Sequence, residues 1–462
     1  MTACFVAAAA VTTGVVASAA TPASAPVITQ QPQPATVMLG RLARFTVKAT
    51  GSPRPAYQWQ VSSDGGAFTD TDTTTSTLAV TASTSDDGSV YRAVASNSTG
   101  SVVSQTAALT VAVSPKMASV KPLIIGLIDK GSQQPYETGV PFPVTDTAEV
   151  ATDPDTFAGI VVNVSWAQLE PSQGQWDFAP LNASLAAVSA YNAANSSDPL
   201  AVKLRVWGGY TAPAWAKQID GAPISVPGDS QRPAGGTLGR YWSADYEQQW
   251  TDLQDALAKQ YDADALVREV AVTSCNTASA EPFVMDGTAI AALTAAGWTS
   301  ADQQSCLDGA LGNYSAWHKT AVDFTFNTFS DVSATGTRSP DFSVTADIMS
   351  ECAASEITGD LPLCILDNHG LTDTVTTQQS PVYDEIDSLW QQYGHDVPVD
   401  FQTISPNGFD LCEAVGVAIA HHAQSVEIWP PGTGFTGFDE YTPAQLASWS
   451  AALVDGVVPS CS

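Results

Sequence analysis

Acids, amides and indoles gather at the ends of short apolar runs in the C-terminal three quarters of this chain, and two glutamates among them have the setting that acid–base chemistry needs. Glu281 is followed by Pro282 and Phe283, and Cys275 upstream can pin its loop. A carboxyl group against an apolar wall has a raised pKa and can act as a general acid. Glu427 lies in the run SVEIWP, where strand alternation puts Ser425, Glu427 and Trp429 on one face. A carboxylate turned into a barrel is costly without partners, which marks it as functional or paired. The plain alternatives are a surface glutamate on an insertion for Glu281, and an ion pair with Arg205 or Lys203 for Glu427. Asp347 and Asp367 are the other candidates for the second carboxylate.

Around these two stand side chains suited to binding sugar hydroxyls. Trp166, Trp207, Trp215, Trp242 and Trp429 offer indole faces on which pyranose C–H groups pack, although a single Trp is more often core than platform. Arg205, Asn276, Asp367, His369 and Gln402 complete the polar set, and Asp347 belongs to it if it is not catalytic. No Cys/His cluster has metal-ligand spacing, and no GxGxxG or P-loop points to a nucleotide, so no metal or cofactor is expected. No GxSxG supports an esterase.

These residues need a scaffold that brings distant strand ends together. From residue 122 onward, eight apolar runs alternate with helical stretches, the pattern of βαβ units. The runs are LIIGLID (123–129), GIVVNVSW (159–166), AVKLRVWGG (201–209), VREVAVTSC (267–275), FSVTADIM (342–349), LCILDNHG (363–370), VDFQT (399–403) and SVEIWP (425–430). Stretches such as DYEQQWTDLQDALAKQY and DLCEAVGVAIAHHAQ read as helices between them. Eight strands over residues 122–462 predict an α/β TIM (β/α)₈ barrel with insertions, with an open doubly wound sheet as the alternative. In such a barrel chemistry sits at the C-terminal strand ends.

Residues 27–113 have a different texture, rich in Thr, Ser, Val and Ala, with short alternating strands separated by turns such as SDGG and SDDGS. This predicts an all-β sandwich ahead of the barrel, joined to it by residues 114–121. Trp59 on a strand after Gly51-Ser52-Pro53-Arg54-Pro55, and Asp87-Gly88-Ser89-Val90-Tyr91-Arg92-Ala93 with its tyrosine, resemble the immunoglobulin-like family. Both positions of that family's inter-sheet disulfide differ, being Val47 and Ala93, so Trp59 is expected to pack on apolar side chains. A spacer role is the default reading of this domain.

The second apolar run carries a further resemblance. Trp166-x-x-Leu169-Glu170-Pro171-x-x-Gly174-x-Trp176-Asp177-Phe178 is similar to a stretch of barrel glycoside hydrolases in the large retaining clan that uses two glutamates. The resemblance implies a glycosidase barrel in which Glu170-Pro171 is a loop element and the acid/base is Glu281, within Ala280-Glu281-Pro282 where the clan has Asn-Glu-Pro. Asn276 is then a candidate for the missing amide. The clan's nucleophile position, at the end of the seventh strand, holds Gln402, which leaves Glu427 as the nearest substitute.

Composition narrows the partners. With 47 acidic against 17 basic residues and a net charge of −30, the chain repels phosphate, so nucleic acid and anionic membranes are poor partners and a polysaccharide or oligosaccharide is compatible. Residues 1–25 are apolar and small, with Ala17-Ser18-Ala19 and Ala23-Ser24-Ala25 as cleavage sites, and read as a signal peptide of a secreted protein. Cleavage removes Cys4 and leaves six cysteines, for which neighbour pairing 275–306, 352–364 and 412–461 is expected. A monomeric, secreted glycoside hydrolase whose partner is its sugar substrate is one reading; a non-catalytic carbohydrate-binding protein on a degenerate barrel is the other.

Overall fold

The computed structural model describes residues 23–38, 42–63, 65–82, 84–112, 117–131, 141–147, 156–228, 235–277, 281–283, 287–333, 336–355, 361–393, 397–404, 409–429 and 441–461. Residues 1–22 of the expected signal peptide and 114–116 of the expected linker lie outside them. The chain divides into two compact units, Met1–Ala112 and Val113–Ser462.

The first unit is an immunoglobulin-like sandwich. Its larger sheet is built on Ala56–Ser62, Val90–Asn97 and Ala107–Ala112, and Ala35–Met38 joins it in parallel at the edge. Leu42–Thr46 pairs with Thr77–Thr81, and Ser24–Gln30 with Lys48–Ser52. Alternation along Val90–Asn97 turns Tyr91, Ala93 and Ala95 inward, as a strand's two-residue period requires. Trp59 is buried among Phe45, Val47, Tyr91 and Ala93, so small and branched side chains occupy the two disulfide positions of the family. Its indole N–H donates to the Thr75 carbonyl at 2.9 Å, which satisfies the one polar group the ring carries into the core.

The second unit is a closed eight-stranded parallel barrel of TIM type, its strands in chain order. They are β1 (Gly126–Asp129), β2 (Phe157–Ser165), β3 (Ala201–Trp207), β4 (Val267–Ala271), β5 (Ala321–Thr325), β6 (Cys364–Leu371), β7 (Val399–Thr403) and β8 (Ser425–Ile428). Helices on the outside, among them Ala244–Tyr261 and Leu411–Ala420, pack apolar stripes onto the strands.

Seven of the eight expected runs are strands. The fifth is not: residues 342–349 belong to the helix Phe342–Ala354, and the true β5 is the short AVDFT. Val344, Ile348, Met349 and Cys352 recur at helical spacing and are all buried, a period that a strand cannot satisfy. Asp347 therefore lies exposed on a helix rather than at a strand end, which removes it from the expected site. The six downstream cysteines pair as 275–306, 352–364 and 412–461.

Candidate active site at the barrel mouth

The barrel interior is charged where TIM barrels are usually filled with branched aliphatic side chains. Lys203 and Arg205 enter from β3, Glu269 from β4, Asp323 from β5, Asp367 from β6, Asp400 from β7 and Glu427 from β8, all buried. Lys203 Nζ lies 2.8 Å from Asp323 and 2.7 Å from Asp400, with Glu427 at 3.5 Å. Burial works against the lysine's charge, but Asp323 and Asp400 outweigh it and hold its pKa well above the ordinary value. Carboxylate oxygens of Glu269, Asp323 and Asp400 lie within 4.8 Å of one another, a grouping that could take a cation. The Lys203 ammonium already bonds two of its three members.

Glu427 is sealed into this layer. Arg205 donates to both of its oxygens, at 2.9 and 2.7 Å, and the side chain is 0 % exposed. Burial alone would raise its pKa, yet Arg205 and then Lys203 overcome that and hold it well below the usual carboxylate range. The ion pair weighed from the sequence is thus present, and Arg205 is committed to it. Its neighbour Gln402, on β7, is also buried, and its Oε1 has no hydrogen-bond partner among the described residues.

Above this layer, Glu281 reaches the mouth. Its side chain is 24 % exposed, and its Oε1 lies 3.3 Å from His369 Nδ1. Asn327 donates to the other oxygen at 3.3 Å. His369 Nε2 in turn lies 2.8 Å from Asp367, whose Oδ2 also accepts from the Thr325 hydroxyl at 2.8 Å. Burial tends to discharge His369, but Asp367 and Glu281 on either side raise its pKa to about 9, so the imidazolium persists at neutral pH. Burial likewise pushes Glu281 up, but the hydrogen bond and charge of His369, with Lys130 and Arg205 behind, bring its pKa below the ordinary glutamate value.

The surroundings of Glu281 differ from those expected of a general acid. The apolar wall is turned away, because Phe283 packs on Phe324 and Phe326 in the core. What faces the carboxylate is an imidazolium, and the group is poised as an anion. The amide beside Glu281 is also not the expected one. Asn276 is buried in a pocket lined by Gly208, Trp250 and Ser274, while Asn327, just past β5, supplies the contact. Asn327 went unrecognised because the fifth strand was placed too late in the chain.

The tryptophans separate into two sets. Trp166 is fully buried and meets Trp215, Tyr246 and Trp250 edge-on. Its indole donates to Glu170 at 2.8 Å, and Glu170 also accepts from the Gly174 backbone at 2.6 Å. The Trp-x-x-Leu-Glu-Pro-x-x-Gly spacing is therefore a loop staple, and Trp166 is core rather than a sugar platform. Trp215 belongs with it, since its N–H donates to the Glu170 carbonyl at 3.0 Å. Trp207 and Trp429 remain at the mouth, on β3 and just after β8. Trp207 donates to Asn163 at 2.9 Å and stacks on Phe142. The half-buried Trp429 carries the Lys130 ammonium 3.8 Å from its ring centroid. Lys130, at the end of β1, was not singled out by the sequence; its only signal was its position at a strand end.

Fold and site define a class: an immunoglobulin-like domain followed by a TIM-type barrel with ionisable groups at its mouth. Residues 25–97 match the immunoglobulin domain family. Endoglucanase C of Cellulomonas fimi is 47 % identical over 88 residues, within the immunoglobulin-like region. That match spans 19 % of this chain and 8 % of the relative, so the chain covers a small part of the relative's length. Among solved structures, the tandem Ig repeats of Dlar are 32 % identical over 20 % of this chain and 49 % of that one, at a TM-score of 0.18. Titin M4 is 28 % identical over 20 % of this chain and all of that one (100 %), at a TM-score of 0.17.

Proposed function

We propose that this protein is a secreted glycoside hydrolase whose barrel mouth cleaves a polysaccharide or oligosaccharide, with Glu281 as the carboxylate that meets the anomeric carbon. The observation that carries the reading is the state of Glu281. It is a partly exposed anion at the C-terminal mouth, fixed by His369 and Asn327, in the place where this fold does its chemistry. An oriented, ionised carboxylate suits attack on the anomeric carbon or stabilisation of an oxocarbenium-like transition state, and attack leads to net retention. Asp367 orients the imidazole, which holds Glu281 in turn. Trp429, half-buried at the mouth, is the indole that this reading assigns to a sugar ring. Glu427 serves from below by holding Arg205.

The endoglucanase likeness supports a carbohydrate setting for the N-terminal domain, and the three disulfides fit an exported protein. Among the described residues no helix is long and apolar enough to cross a membrane. Release of reducing ends from plant, fungal and bacterial polysaccharides tests the activity. Glu281→Ala should abolish it, and azide should restore turnover as a glycosyl azide of inverted configuration. Binding without any release would favour the non-catalytic reading, to which Gln402 on β7 and the sealed Glu427 lend support.

A further inference from the structure

The hydrolase reading leaves the leaving group without a proton donor. Gln402 has no acidic proton to give, Glu427 is sealed by Arg205, and Asp367 is bonded to His369 and Thr325. His369 is fixed between two carboxylates. One group stands apart. The Lys130 backbone N–H donates to Ile428 on β8 at 2.9 Å, its ammonium rests on Trp429, and no carboxylate of the described residues forms an ion pair with it. In the closed ring β1 lies opposite β5. Glu281 is held from the β5 and β6 side by Asn327 and His369, so Lys130 and Glu281 approach the mouth from opposite walls. The turn after Lys130 is built to size: Gly131 has φ +71°, and a Cβ there would lie 2.4 Å from the Val161 carbonyl oxygen.

We propose that Lys130 is the proton carrier of this site, the catalytic residue that stands where a second carboxylate would be expected. The inference rests on the hydrolase reading above. In the first step a Glu281 oxygen bonds to the anomeric carbon as the glycosidic C–O bond breaks. The electron pair stays on the leaving oxygen, which takes a proton from Lys130 Nζ. In the second step the neutral amine removes a proton from a water molecule whose oxygen attacks the anomeric carbon. The ester bond to Glu281 breaks, and carboxylate and ammonium are restored. Electrostatics support the role. Burial lowers the lysine's pKa to about 7, against the opposing pull of Glu427 on β8, Glu281 after β4 and Asp367 on β6, and with Arg205 on β3 adding to the fall. An amine with that pKa can both give and take a proton near neutral pH.

The test compares Lys130→Met and Lys130→Arg with the wild-type full chain on whatever glycosides the polysaccharide panel identifies. Lys130→Met should lose about 10²–10⁴-fold in kcat/KM on alkyl glycosides and little on activated aryl glycosides, which need no protonation. The basic limb of the wild-type kcat/KM profile should lie near pH 7 and vanish in Lys130→Arg, which keeps the charge but cannot release the proton. Thermal unfolding checks that both variants fold. Independently of turnover, competitive acetylation of wild-type Lys130 read by mass spectrometry should be half-complete near pH 7. A midpoint in the ordinary lysine range, or a Lys130→Met enzyme with unaltered leaving-group dependence, overturns the proposal and leaves the hydrolase reading standing. A wild-type protein that cleaves nothing in the panel overturns both.

Discussion

Replacing Glu427 by Gln would show whether the buried carboxylate holds the barrel together. The wild-type pair is bidentate, at 2.9 and 2.7 Å, fully enclosed, and supplemented by Lys203 at 3.5 Å. Glutamine keeps the volume but removes the charge, so Arg205 is left in the barrel with no carboxylate in bidentate contact. Breaking one partner of such a pair costs about 3–5 kcal/mol, because the other charge stays buried without compensation. In a domain of this size, 1 kcal/mol lowers Tm by about 2–4 °C, so the variant should melt roughly 6–20 °C below wild type. Removing both charges, in Arg205→Met/Glu427→Gln, should recover part of that loss, since no uncompensated guanidinium remains. The assay is thermal unfolding followed by circular dichroism, with urea titration as a second measure. A Glu427→Gln protein melting within 1–2 °C of wild type (about 0.5 kcal/mol) would refute the structural role given to the pair. The same experiment governs any kinetic study of Glu427, because lost activity means nothing in a barrel that no longer folds.

Stability should fall as pH rises from 5 to 7, above which Lys130, with its pKa lowered to about 7, works in the opposite direction. Burial raises Glu269 to about 8, Asp323 to about 7 and Asp400 to about 6, so the folded chain holds protons that the unfolded chain has released above about pH 4. His369, raised to about 9, acts in the same direction above its unfolded value near 6.5. Glu269→Gln should flatten the dependence of Tm on pH, and an unchanged slope would contradict the assignment. Thiol titration of the denatured, unreduced chain lacking residues 1–25 should find no free cysteine. Reducing the three disulfides should lower stability, each contributing about 2–4 kcal/mol. Residues 116–462 expressed alone should unfold cooperatively and keep activity on soluble substrate, since none of the candidate catalytic groups lies in the sandwich; loss of activity by a folded barrel would tie the sandwich to the site.

Local patterns in this chain were enough for much of its architecture. Strand alternation with a buried Trp and a tyrosine before the last hairpin specifies the immunoglobulin-like sandwich, because each signal depends only on residues near one another. Seven barrel strands were legible for the same reason, and the three cysteine pairs match the neighbour order expected of them. The fifth strand was not: AVDFT is short and fully buried, and a nearby helix carries more β-branched and apolar residues than the strand does. That single displacement hid Asn327 and Asp323 and put Asp347 where it does not belong. The roles of the charged residues were decided only in three dimensions. Whether Glu281 is an acid or an anion depends on His369, 88 positions away in the chain, and whether Glu427 is free or sealed depends on Arg205, 222 positions away. Closure of the barrel brings these groups into one low-dielectric space, where neighbouring charges outweigh any preference written into the local sequence.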